Sequence, residues 1–135
     1  MRKSAWILAG AVALTGCSIG QDVPLAEAGA TNFHKLLDAG KFDAIWQGAS
    51  KELTSTPKPD FDKLLDAVHR KLGAFKSAQQ QGWNDQATTN GHFISLNYQS
   101  HYEKGDAVEN FVYRIDGGKA HLAGYHINSN ALIYN

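Results

Sequence analysis

The chain holds a single cysteine, Cys17, among its 135 residues, so no disulfide can form within it. It has no excess of charge: 13 basic residues balance 13 acidic ones. A nucleic-acid surface needs a basic face, and none is expected. No apolar run approaches the roughly 20 residues that a membrane-spanning helix requires. The longest, Ala5 to Leu14, has ten. The six histidines show no metal-ligand spacing, no Gly-rich phosphate loop occurs, and no nucleophile-elbow motif surrounds a serine. No metal or other cofactor is expected from this inventory. What is present is a 43% hydrophobic composition, which argues for a folded domain and against disorder.

The short apolar run has a setting. Arg2 and Lys3 precede it, and Leu14-Thr15-Gly16-Cys17 closes it. A basic start, a short apolar stretch and small residues at its end make a secretion signal. Leu-Thr-Gly-Cys resembles the lipobox of bacterial lipoproteins. That resemblance implies removal of residues 1–16, diacylglycerol on the Cys17 sulfur and a further acyl chain, such as palmitate, on its new amine. Several acyl chains on one residue exceed what stable membrane anchoring needs. Ser18 stands where lipoproteins kept at the inner membrane often carry Asp, so the resemblance implies the outer membrane, facing the periplasm. The mature chain has 119 residues, 11 basic and 13 acidic, a net charge of −2. Residues 17–24 read as a lipidated tether and residues 25–135 as one domain.

The first half of that domain has helical periodicity. Ala26, Ala30, Phe33 and Leu37 step along a helix over Leu25 to Ala39, with Gly40 placed just past its end. A shorter helix is expected over Lys41 to Ser50. Pro57 and Pro59 punctuate a loop, after which Asp60 is positioned as an N-cap. Phe61, Leu64, Leu65, Val68 and Leu72 then form an amphipathic stripe that Gly73 ends. His34 and His69 have no partner at ligand spacing and read as solvent-facing or rim residues.

After Gly73 the period becomes two. Turns at Asn90-Gly91, Lys104-Gly105 and Gly117-Gly118 divide the rest into four strands of an antiparallel meander. Taken as two-residue loops, they set a register. Trp83 faces Tyr98, Asp85 faces Leu96, Tyr98 faces Phe111, Ser100 faces Glu109, Tyr113 faces Leu122, Phe111 faces Gly124, and Glu109 faces His126. One face then collects Trp83, Asp85, Leu96, Tyr98, Ser100, Glu109, Phe111, Tyr113, Ile115, Leu122 and His126. Val108, Val112, Tyr125 and Ile127 fall on the other. The fold class is α+β, helices packed on a curved four-stranded sheet.

This order resembles the nuclear-transport-factor-2-like, or cystatin-like, superfamily, and more closely small bacterial lipoproteins within it. The carriers are Phe33-x-x-Leu36-Leu37-Asp38-Ala39-Gly40-Lys41-Phe42, Lys71-Leu72-Gly73, Ala107-Val108-Glu109-Asn110-Phe111 and Asp116-Gly117-Gly118-Lys119 with Gly124-Tyr125. The resemblance implies a cone of sheet around the helices whose mouth can hold a ligand, and often pairing of two copies through the sheet's outer face. Candidate pocket residues are Trp83, Asp85, Tyr98, Ser100, Glu109, Phe111, Tyr113 and His126, and no catalytic residue is assigned. Glu109 and His126, with Ser100 beside them, are the one acid/base constellation with a physical case. The expected role is a lipid-anchored envelope domain serving non-enzymatic binding or interaction. The alternative is a small isomerase- or dehydratase-like enzyme using the concave pocket. A homodimer would bury Val108, Val112, Tyr125 and Ile127.

Overall fold

The computed structural model describes residues 19–134; Cys17 and the leader lie outside that range. Four helices precede the sheet: α1 (Val23–Asp38), α2 (Phe42–Gln47), α3 (Lys51–Thr54) and α4 (Lys58–Leu72). The strands are β1 (Phe75–Thr88), β2 (Gly91–Tyr102), β3 (Gly105–Asp116) and β4 (Lys119–Asn128), and a short α5 (Asn130–Tyr134) follows. The sheet is an antiparallel meander in the order β1-β2-β3-β4. The α+β class is as expected. The second helix forms within the stretch expected for it but stops at Gln47, while α3, beyond that stretch, and α5 carry no stripe that announces them.

α1 forms where the stripe predicts, with Pro24 in its first turn, where a missing N–H costs nothing. It ends in a Schellman motif: Gly40 N–H donates to Leu37 O at 3.0 Å and Lys41 N–H to Leu36 O at 2.8 Å. The helix starts inside the expected tether, at Val23. α4 is capped by Pro57 rather than Asp60, which sits in the first turn, where its charge suits the helix dipole. The turn after β2 caps the other end of α4, as Lys104 N–H donates to Leu72 O at 2.8 Å. The core is one cluster between helices and sheet, with Leu37, Leu65, Val68, Leu72, Ile94, Leu96 and Phe111 fully buried.

Two of the three expected turns sit one residue earlier than expected. Thr88 pairs with Gly91 and Tyr102 with Gly105, so each partner shifts by two and the faces are kept. Trp83 therefore faces Leu96, Asp85 faces Ile94, Tyr98 faces Glu109, and Ser100 faces Ala107. At Gly117-Gly118 the loop is as expected, because both glycines take positive φ (57° and 74°), as a tight hairpin turn of this kind demands. Beyond it Ala123 bulges: Tyr113 pairs with Leu122, but Val112 pairs with Gly124 and Phe111 with Tyr125. One extra residue turns every later side chain of β4 over. Tyr125 and Ile127 consequently join the core side, and His126 is exposed on the outer face opposite Asn110.

Leu65 is fully buried and Leu64 only partly so, one residue apart on the same helix. Leu65→Ala should cost about 2–5 kcal/mol in urea unfolding, and Leu64→Ala distinctly less.

Candidate functional site

The buried carboxylate of Glu109 organises the interior. β3 carries it inward between Ala107 and Phe111, where its exposure is 0%. A lone ion there would cost several kcal/mol in lost hydration. Three side chains from three elements offset this. His34 Nε2 of α1 lies 2.9 Å from Oε1, while the hydroxyls of Tyr102 (β2) and Tyr125 (β4) donate to Oε2 at 2.8 and 2.5 Å. The Ser100 hydroxyl is buried beside them and closes no direct hydrogen bond.

Burial alone would push the Glu109 carboxyl up. The His34 hydrogen bond and attraction, aided by Tyr125, outweigh burial and hold it below the usual glutamate value. Burial, then the Glu109 charge, pushes both the Tyr102 and Tyr125 hydroxyls well above theirs, so both stay protonated donors. Tyr98 is raised to about 12, by burial and then by Glu27 and Glu109.

The expected partner of Glu109 was His126. The Ala123 bulge sends His126 to the outer face, and the imidazole that meets the carboxylate is His34, which is 5% exposed and not the rim residue expected. A signal for it exists in the sequence. His34 is four residues after Ala30 and three before Leu37, inside the apolar stripe of α1. His69 is half-buried and meets Phe42 edge-on at 6.2 Å.

The concave face is filled rather than open. Phe33 meets Phe111 edge-on at 5.1 Å and Tyr125 at 4.5 Å, and Tyr113 stacks beside Phe111. Of the candidate pocket residues, Phe111, Tyr113 and Ser100 are core. Trp83 shares their face but lies on the edge strand, 46% exposed. Asp85 points inward at the same end, with its side chain 8% exposed, and is taken by Gly20 and His92.

Two of the candidates also border open space: Tyr113 a small hollow of about 130 Å³ beside α1, α2 and β4, and Tyr98 a larger one. A lateral cleft of about 330 Å³ runs between α1 and the start of β1, lined by Ala30, Thr31, His34, Lys35, Asp38, Phe75, Ala78 and Tyr98. Bulges at Lys76 and Gln81 keep Phe75 and Ala78 turned toward it. The His34 ring stacks flat on Phe75, with centroids 3.7 Å apart. Its Nδ1 makes no hydrogen bond among the described residues. The arrangement is an imidazole oriented from behind by a buried carboxylate and accessible in front.

A larger, shallower depression of about 690 Å³ lies between the α1–α2 turn and α4, but its carboxylates are already paired. Lys58 bridges Asp43 and Asp62 at 2.7 Å each, and Arg70 holds Asp66 at 2.8 Å. Among the described residues no group of acids, histidines or cysteines is arranged to hold a metal ion.

The family model DUF4019, described as a protein of unknown function, matches residues 29–125. The chain belongs to the DUF4019 family. The matched stretch runs from the middle of α1 to Tyr125, so Glu109 and all three of its hydrogen-bond partners fall within this DUF4019 domain. No curated protein matches the chain.

The sign of the pH dependence follows from the direction of the Glu109 shift. Its folded value lies below the unfolded one, so its contribution is complete above about pH 4.3 and drains as pH falls through the lower folded value. Tyr125→Phe removes one donor. It should cost about 1.5–3 kcal/mol and move the acid-unfolding midpoint to higher pH, read by circular dichroism across a pH series. Glu109→Gln should flatten that acid limb.

Proposed function

We propose that this DUF4019 protein is a lipid-anchored domain of the bacterial envelope, held through Cys17, that binds a small polar ligand in the α1–β1 cleft without transforming it. The packed cone is the observation that carries the non-catalytic reading. Phe33, Phe111, Tyr113 and Tyr125 occupy the space a substrate would need, and Glu109 is enclosed behind them. The cleft supports the binding role. Its volume lies at the small end of the range for ligand sites, its walls are apolar, and His34, Lys35, Asp38 and Thr31 supply polar groups. Helices followed by a four-stranded meander support the likeness to the nuclear-transport-factor-2-like superfamily, which hosts many roles and selects none.

One observation favours a second reading, an isomerase- or dehydratase-like enzyme. The Nδ1 of His34 is unpaired above a carboxylate that orients the ring, as a general base requires. Catalysis would then run in the lateral cleft and not in the cone. Pairing of two copies through the outer face has lost Tyr125 and Ile127 to the core side; Val108, 53% exposed, and Val112 remain for it.

The anchor is tested by Cys17→Ser. This variant should leave the membrane fraction or remain unprocessed, while the wild type floats with membranes and shows acyl chains by mass spectrometry. A Cys17→Ser protein that is processed normally and stays membrane-bound would overturn the anchoring. Bulk added to the cleft through Ala78→Trp should abolish ligand binding with little loss of stability, and Ala78→Ser should retain it. Retained binding in Ala78→Trp would remove the cleft from the proposal.

A further inference from the structure

The segment expected as a free tether is fastened to the sheet. Gly20 N–H donates to Asp85 Oδ2 at 2.8 Å, and Asp85 Oδ1 lies 2.5 Å from His92 Nε2. His92 Nδ1 in turn lies 3.7 Å from Asp22 Oδ2. Gly20 also packs under the indole of Trp83. A Cβ at Gly20 would lie 2.7 Å from Trp83 Cη2, and its φ of +82° is one that other residues rarely adopt. Residues 20–22 are thus clamped across β1 and β2 before α1 begins.

Only Ser18 and Ile19 separate Cys17 from this clamp. Fully extended, three residue steps span at most about 11 Å. The clamp is flanked by two of the large apolar side chains that the fold leaves in solvent, Ile19 at 76% and Trp83 at 46% exposure. Tryptophan is favoured at the boundary of lipid and water, where its ring is half apolar and its N–H stays wet. The neighbouring acids Asp85 and Asp22 are turned toward His92.

We propose that the edge of the fold bearing Ile19, Gly20 and Trp83 lies against the lipid surface, and that the clamp sets the orientation of the domain on the membrane. The proposal rests on lipidation of Cys17. It deepens that reading by replacing a swinging domain with a seated one. The α1–β1 cleft is then held away from the bilayer, since His34 is 11 residues along α1 from Val23, about 16 Å. The binding groups of the cleft stay open to the periplasm.

The test uses the full-length lipidated protein in vesicles of phosphatidylethanolamine and phosphatidylglycerol, with and without brominated acyl chains. Trp6 departs with the leader, so Trp46→Phe leaves Trp83 as the sole tryptophan. Its emission should shift to the blue on vesicle binding and lose intensity in brominated lipid. Gly20→Val, which cannot seat beneath the indole, should float equally well and lose most of that quenching. Protein that floats with the vesicles while Trp83 emission is unchanged would overturn the seated orientation and leave the anchor intact. Protein that fails to float would overturn both. Because Trp46 packs on Phe61, the wild type is also followed by hydrogen exchange, where vesicle binding should protect residues 19–22 and the amides around Trp83. Unchanged exchange in floated wild type would equally overturn the proposal.

Discussion

A single buried negative charge dictates much of how this molecule is assembled. Glu109 gives up its hydration, and the compensation must come from groups that only the complete fold brings together. His34 arrives on α1, Tyr102 on β2 and Tyr125 on β4. Helix position, strand pairing and the β4 bulge must therefore be mutually correct before the carboxylate is satisfied. A register error at any of the three would leave a buried ion short of partners, so the network selects one packing of helix on sheet as well as stabilising it.

The Ala123 bulge is the local device behind this. Without it Tyr125 would point to solvent and His126 would face inward beside Glu109. With it the phenol donates to the carboxylate and packs at 4.5 Å on Phe33. The same bulge therefore takes Tyr125 and Ile127 out of the expected outer apolar patch and closes the interior of the cone. It also leaves the lateral cleft, where His34 shows its second nitrogen, as the place where the charge network meets solvent.

The two ends of α1 have different tasks. At its start, Gly20, Asp85 and Trp83 bind the incoming chain to the sheet edge. Near its end, His34, Lys35 and Asp38 border the cleft. β1 serves both ends. Its interior offers little to the core, and its bulges at Lys76 and Gln81 twist an edge strand that would otherwise invite pairing with another chain.

Most of the fold was legible in the sequence. The stripes of α1 and α4, their glycine ends, four strands and the Gly117-Gly118 turn follow from periodicity and turn chemistry, which act over a few residues. The inward position of Glu109, Ser100 and Asp85 was legible too, because a two-residue error in a hairpin preserves its faces. The partner of Glu109 was not. A one-residue bulge reverses faces, and Ala123 carries no side-chain signal of the bend it makes. The exposed-looking His34 and the free-looking residues 20–22 are likewise decided by distant groups, Glu109 and Asp85. Local pattern determined which segments are helix and strand and which side chains are apolar. Only the tertiary structure decided which polar groups meet, because a buried charge is satisfied by whatever the assembled fold brings within about 3 Å of it.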